Sequence, residues 1–465
     1  MRRNSIIADA KFATLQNLEN TKCNSSKSGG QNRHEILIKS TLTGKHGFSV
    51  ASILKYLEEC NVTIQFVEIK RPEENSSDSD DDIRLNEVYV QCQCSYTDLE
   101  NAEISLEKNS SLVVKRLSQL GPERETLHDV PWFPRKAADL DYCRHLREVC
   151  EDNQINTEHP GYSDQEYRER RRQIVDIARK YKHGDVIPRV PYTSDENQTW
   201  KTVYSKLRSL HAQGACSQFN TSIRHLEKIG LYSEDNIPQL EDVSRYLQDC
   251  SGFRLRPVGG LVSARDFLAS LAVKVFQCTQ YVRHHLSPMH TPEPDCCHEL
   301  IGHVPMLCDP DFARFSQELG IVSLGATDKD IEKLATLYWF TVEFGLCLQQ
   351  GQLKVYGAGI LSAYGELEHA LSKNPEHCEF DAEKASTQSY QDEDYQPLYF
   401  IAKSFQDVLT KVRKFTNDNI IKCFDARYNA DTESVEVFRK NNPHDVARVV
   451  EELNGHITFL RGLVG

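Results

Sequence analysis

Two histidines, His298 and His303, stand five residues apart in the stretch PDCCHELIGHVP. A metal needs donor groups that are deprotonated, close together and shielded from bulk water. The helix of a zinc peptidase sets its two histidines four apart, so that both share one face. Here Gly302 takes that place and the histidine comes one residue later. On a regular α-helix, at about 100° per residue, the two rings would point about 140° apart. Gly302, with Pro305 behind it, predicts that the helix ends between them. One ring would then sit on its last turn and the other just beyond.

A third donor is sought where a polar group is hard to justify. Glu343 is the one charged residue in LATLYWFTVEFGLC. A carboxylate in such apolar company must meet a cation, either an arginine or a metal. Two histidines and one carboxylate make the facial triad of non-haem Fe(II) oxygenases, with positions open for dioxygen and substrate. A structural zinc would want four closed ligands, usually including thiolate. Cys296 and Cys297 keep that alternative open.

The elements that must carry these residues can be read from the pattern. The chain has 465 residues, is 39% hydrophobic and carries a net charge of −13. It is long enough for more than one domain, and its acidity argues against nucleic acid or an anionic membrane as main partner. Its longest apolar stretch is too short to span a membrane. The N-terminus, MRRNSIIADAKF, has no apolar core, and the fifteen scattered cysteines fit reduced thiols, so a cytoplasmic location is expected.

Residues 1–33 read as a polar regulatory tail without structure. Residues 34–120 follow as an α+β unit. Its strands are HEILIKS, VTIQFVEI and EVYVQCQC, a first helix runs from Val50, and a second ends near LVVKRLSQL. That order is most of a ferredoxin-like split βαβ, with its last strand unplaced. Residues 121–420 read as mainly helical, with DFLASLAVKVFQCTQYVRHH as one helix and RLRPVGG as a turn. The basic run Arg168, Arg170, Arg171 and Arg172 reads as the wet face of a helix. Within 421–465 a two-stranded ribbon leads to a tail with Val446, Val450, Leu453, Ile457, Leu460 and Val464 in a/d spacing. This is a coiled-coil seam suited to a multi-chain zipper.

PDCCHELIGHVP resembles the signature of the pterin-dependent aromatic amino acid hydroxylases. So do GFRLRP, SARDFL, CTQYVRH, FSQELG, YWFTVEFGL, YGAGILS and YQPLYF, in the same order over residues 120–465. The resemblance implies that family's mainly α catalytic fold, an N-terminal ACT domain and a C-terminal ribbon with a coiled-coil helix. It implies Fe(II) on His298, His303 and Glu343, with tetrahydrobiopterin as cofactor and dioxygen as co-substrate. Phe267 matches the ring that stacks on the pterin, Leu261 and Val262 line its slot, and Glu293 matches a carboxylate near pterin and iron. Arg283 and Asp295 match the pair that fixes the substrate amino acid. Tyr338 and Ser362 match polar groups close to the metal. Gly260 and Val262 depart from the family's usual Ala and Leu, on the pterin side.

Within the family, His290, Trp339 and Asp392 in a loop over the site resemble the tyrosine-hydroxylating members, which make L-DOPA for catecholamine synthesis. Phenylalanine 4-hydroxylation and tryptophan 5-hydroxylation are the alternatives. Outside the family, the rivals are a zinc hydrolase and an amino-acid sensor with a vestigial site. By the same resemblance a homotetramer and catechol feedback inhibitors are expected. RRNS makes Ser5 a candidate site for a basophilic protein kinase, because a phosphate would reverse the charge of the basic tail.

Overall fold

The computed structural model describes residues 32–41, 50–70, 85–94, 98–99, 102, 106, 112–116, 132–143, 159–289, 291, 293–391, 394–420, 422, 424–439, 450 and 457. Ser5, His290 and Asp392 lie outside them. The chain divides into two compact units, one within Thr21–Phe133 and one running from Pro134 to Gly465.

The smaller unit is one antiparallel sheet with strands β1 (Asn32–Thr41), β2 (Thr63–Lys70), β3 (Leu85–Cys94) and β4 (Leu112–Arg116), in the order β2-β3-β1-β4. The Val50–Glu59 helix joins β1 to β2 and buries Ile53 and Leu57 on its apolar side. These meet Ile38, Val90 and Cys92 from the sheet and Leu99, Ala102 and Leu106 from helical residues before β4. The strand missing from the sequence reading is therefore LVVKR, which was expected to end a helix. Val113 and Val114 are β-branched, and β1 supplies an open edge for them, so the sheet wins over the helical spacing.

In the larger unit most elements are helices with explicit starts. Thr193 caps the Ser194–Gly214 helix in a reciprocal box with Glu196. Asp309, just ahead of Pro310, accepts from the Asp311 and Phe312 amides and so caps the Pro310–Ser323 helix. That helix lies almost on the backbone of the Ala264–Ala272 helix. A Cβ on Gly320 would come 2.3 Å from the Ala272 nitrogen, so only glycine permits the approach. Trp200, Phe219, Phe253, Phe276 and Phe344 fill the core between the helices. Fully burying such a side chain contributes about 1.5–3 kcal/mol.

Two stretches expected as helix and turn are strands instead. The Ala264–Ala272 helix stops there, Lys274 adopts φ 56°, and Val275–Cys278 pairs in parallel with Arg254–Pro257. Both strands are almost wholly buried, so VFQC reads as a short, mostly apolar run without clean alternation, while RLRP, with two arginines in four residues, gives no apolar strand signal at all. A second sheet follows Glu343 directly. In it the hairpin Leu346–Gln349 and Gln352–Val355 turns at Gln350 and Gly351, both with positive φ. Phe424–Asn429 and Ser434–Arg439 form the expected C-terminal ribbon. Beyond it, Val450 and Ile457 are helical and exposed, and the other seam positions lie outside the described residues. No helix among the described residues is long and apolar enough to cross a membrane, and the described cysteines are free thiols.

Candidate metal and substrate site

The helix does not end between the two histidines. His298–His303 forms one turn of π-helix and runs on into the Val304–Leu307 helix. Bonds from i to i+5 bring residues five apart onto nearly one face, which makes the spacing correct for convergence. The Nε2 atoms of His298 and His303 are 3.1 Å apart. Gly302 has a different task from the one expected of it. A Cβ there would lie 2.6 Å from the Ala358 carbonyl oxygen, so glycine admits the Ala358–Leu361 helix against the turn. Glu343 also sits on a π-helical turn, Trp339–Glu343, closed by the Phe344 amide on the Trp339 carbonyl at 2.8 Å.

Glu343 reaches both rings, with Oε1 3.2 Å from His303 Nε2 and Oε2 3.6 Å from His298 Nε2. All three side chains are buried. Two ligands about 2.1 Å from one ion at right angles lie about 3 Å apart, so the three groups suit a single six-coordinate ion with one face of ligands. Burial drives the His298 imidazolium pKa down to about 4, which keeps the ring neutral. Its tautomer follows from Ser362. The Ser362 hydroxyl donates to the Ala358 carbonyl at 2.8 Å, so its oxygen accepts from His298 Nδ1–H at 2.8 Å. Nε2 is left with its lone pair aimed at the cluster. Glu299 is also close to the histidines, but burial, with Glu343 nearby, holds its carboxyl far above the usual range and neutral. Glu343 is therefore the carboxylate of the set.

Aromatic rings wall the other side. Phe276 lies 4.7 Å from the His303 ring, and Phe267 meets both Phe276 and Tyr338 edge-on. The Tyr338 phenol is held neutral by burial and by Glu343, and its hydroxyl has no partner among the described residues. Val262 is buried and Leu261 half-buried at the start of the Ala264–Ala272 helix.

Arg283 and Asp295 pair as expected. The Asp295 carboxylate accepts from Arg283 Nε at 3.0 Å, from Nη2 at 2.7 Å and from the Arg283 amide at 2.8 Å. It also accepts from the His298 amide at 3.1 Å, so one carboxylate fixes both the arginine and the start of the metal turn. Burial would raise its pKa, but Arg283 outweighs that and holds it low. Arg283 Nη1 donates to the Pro288 carbonyl at 3.2 Å. Of its five N–H groups, two remain that no described residue takes, one on each Nη. Arg283 lines a cleft of about 420 Å³, mouth included, together with Thr291, Glu293, His298, Ser362 and Tyr395.

Glu293 brings in two residues that the sequence reading missed. It forms a buried ion pair with Arg171, and His159 Nε2 lies 3.4 Å from the same carboxylate oxygen. Despite its burial, Arg171 and His159 hold the carboxyl below its usual range. Arg171 also rests 4.0 Å above the Tyr281 ring. The expectation of a wet basic face therefore fails at Arg171, while Arg172 is exposed and pairs with Glu169 on its own helix. A signal was present. Arg171, Ile174, Val175 and Ala178 are the buried positions of the Gln165–Lys180 helix, so the arginine lies on its apolar stripe.

Residues 131–464 match the family model described as Biopterin-dependent aromatic amino acid hydroxylase. The chain is 55% identical over 331 residues to human tyrosine 3-monooxygenase, covering 71% of this chain and 62% of that protein. With the dog tyrosine 3-monooxygenase it shares 47% identity over 423 residues, 90% of this chain and 81% of that one. With human phenylalanine-4-hydroxylase it shares 50% identity over 332 residues, 71% and 72% of the two chains. A family match over most of the chain, on a fold that brings these histidines and this carboxylate together, leads to one conclusion: the chain belongs to the biopterin-dependent aromatic amino acid hydroxylases.

Proposed function

We propose that the chain hydroxylates the ring of L-tyrosine to give L-DOPA, with Fe(II), tetrahydrobiopterin and dioxygen. The observation that carries the reading is the convergence of His298, His303 and Glu343 beside a cleft lined by Arg283, two of whose N–H groups no described residue takes. The donor set fits iron: two neutral nitrogens and one carboxylate, with no thiolate in the triad. Bound there, iron and the pterin would supply the activation of dioxygen. The protein's own tasks are to bind, orient and exclude water. Ser362 keeps His298 in the tautomer that offers Nε2. Asp295 holds the Arg283 guanidinium so that its free edge takes the amino acid carboxylate as a bidentate pair. Glu293, kept charged by Arg171 and His159, offers an acceptor to the pterin. Tyr338 brings a neutral hydroxyl close to the metal. Phe267, Leu261 and Val262 give the pterin its apolar slot.

Tyrosine is favoured over phenylalanine and tryptophan by Trp339, His290 and Asp392, and by the higher identity to tyrosine 3-monooxygenases. Trp339 is buried, stacked on Tyr390 at 4.5 Å and bonded to Gln396. The identity to phenylalanine-4-hydroxylase, 50%, keeps phenylalanine as the second reading. The test offers purified protein with Fe(II), tetrahydrobiopterin and oxygen an equimolar mixture of tyrosine, phenylalanine and tryptophan. L-DOPA as the main product supports the reading, and tyrosine or 5-hydroxytryptophan accumulating instead would overturn it.

The β2-β3-β1-β4 unit is an ACT-like regulatory domain, the ribbon and the a/d seam build a homotetramer, and the protein works in the cytoplasm. Catechols are feedback ligands of the iron. Phosphorylation of Ser5 by a basophilic kinase speeds their release, because it reverses the charge of a basic tail. Unchanged catechol dissociation after stoichiometric phosphorylation would remove that last step.

A further inference from the structure

Asp164, His284 and His285 form a cluster that shares no residue with the iron triad. Asp164 caps the Gln165–Lys180 helix, its Oδ1 accepting from the Tyr167 amide at 3.0 Å. Its Oδ2 lies 3.1 Å from His284 Nε2. The His284 ring is buried and held edge-on against Tyr167, with ring centres 4.9 Å apart. His285 is exposed, and its ring centre lies 4.5 Å from that of His284. One donor atom from each of the three residues lies within 4.8 Å of the others.

We infer that Asp164, His284 and His285 form a second metal site that takes a divalent ion such as Zn²⁺. The donor types select the ion class, since imidazole nitrogens with one carboxylate suit zinc and its neighbours, and magnesium or calcium would want oxygen throughout. The spacing agrees. Ligands about 2.0–2.1 Å from zinc at tetrahedral angles lie about 3.3 Å apart, and the Asp164–His284 pair already stands at 3.1 Å. His285, being exposed, closes the remaining gap by a side-chain rotation. Three protein ligands leave the fourth position to water.

The Asp164–His284 pair alone serves the helix cap, and His285 turns that pair into a chelate. The proton balance is local. The Leu286 amide donates to His284 Nδ1 over 3.3 Å, so Nε2 carries the ring proton towards Asp164. Zinc at Nε2 requires the other tautomer, with the proton on Nδ1, and the long Leu286 contact is given up. Leu286 lies in an exposed turn, so the rearrangement is small. Asp164 would ligate through Oδ2 and keep Oδ1 on the helix cap. The ion would then tie the helix that carries Arg171 to the segment that carries Arg283.

The test uses the full, iron-loaded chain titrated with Zn²⁺ by calorimetry, with iron and zinc both quantified after gel filtration. The expected result is one added zinc per chain with iron retained, and a rise in the thermal midpoint. His285→Ala should weaken that zinc at least tenfold while iron content and turnover stay unchanged. Zinc should still bind at the outer site of His298→Ala, which separates this site from the iron triad. Co²⁺ offered in place of zinc should give the visible absorption of a tetrahedral ion in wild type and not in His285→Ala. Zinc entering only as iron leaves, or binding equally to His285→Ala, would overturn the inference.

Discussion

Arg171 and Glu293, 122 positions apart in the chain, form a buried ion pair at the edge of the cleft. The arginine leaves the middle of its helix, rests on the Tyr281 ring and ends on the carboxylate that precedes the metal turn by five residues. The site is therefore braced from a helix more than a hundred residues upstream. Arg171→Gln should destabilise the fold by about 3–5 kcal/mol, because it strands a buried charge. With only His159 left beside it, Glu293 takes up a proton in the folded variant more readily than in the folded wild type, so the deficit should shrink as pH falls from 7 towards 4.5. Denaturant unfolding of both proteins across that range measures it, and a deficit independent of pH would mean that Glu293 is not the stranded group.

Ser362 governs which nitrogen His298 offers. Ser362→Ala removes the acceptor for Nδ1–H and frees the ring to turn or change tautomer. Loss of such a supporting bond typically weakens a metal 10–100-fold. Iron affinity, read by competition with a chelator, should fall in that range with the unfolding midpoint little changed. Wild-type affinity in the variant would show that packing alone orients the ring.

How far the sequence reveals this site depends on the residue. The identities of His298, His303 and Glu343 follow from chemistry, because each is a polar group in apolar company. The geometry that joins them does not. A π-helical turn has no spacing signature of its own, and Gly302 suggests a helix end until the Ala358 backbone is seen pressing on it. The same holds for LVVKR, where an open sheet edge decides the outcome, and for Val275–Cys278, where burial on both faces erases the alternation. Arg171 was legible after all, since its position on the apolar stripe of its helix outweighs the three arginines around it.

His298→Ala, His303→Ala and Glu343→Ala should each lose iron and turnover while the fold survives. The core around Trp200 and Phe219 is built without the metal. Iron content and far-ultraviolet circular dichroism report the two halves of this expectation. A metal-free variant turning over at the wild-type rate would contradict the choice of ligands.

Val450 and Ile457, seven residues apart, are helical and exposed in the single chain. Apolar positions at that spacing are buried when helices associate. Deleting residues from 444 onward should give a smaller species that keeps activity, since every residue of the site lies upstream. Sedimentation showing an unchanged assembly would remove the coiled-coil reading.

His211 offers a test of the interior beneath the site. Its Nε2 donates to the Leu361 carbonyl at 2.7 Å, one residue before Ser362, and its ring meets Phe219 edge-on at 4.6 Å. Nδ1 is buried with no partner among the described residues, so a proton there would be a charge with no acceptor. Burial drives the pKa from the ordinary 6.5 down to about 3. The sign follows from proton counting. Above pH 6.5 the ring is neutral in both states and pH has no effect through it. Between 6.5 and about 3 the unfolded chain binds a proton that the folded chain refuses, so stability falls as pH falls, by up to about 1.4 kcal/mol per unit. His211→Gln keeps a donor for the Leu361 carbonyl and removes the titration. Between pH 7.5 and 5.5 the wild type should therefore lose about 1.4 kcal/mol more unfolding free energy than the variant, read from denaturant curves. Equal losses would mean that the folded protein accepts the proton at His211, and that the ring is not held neutral by its burial.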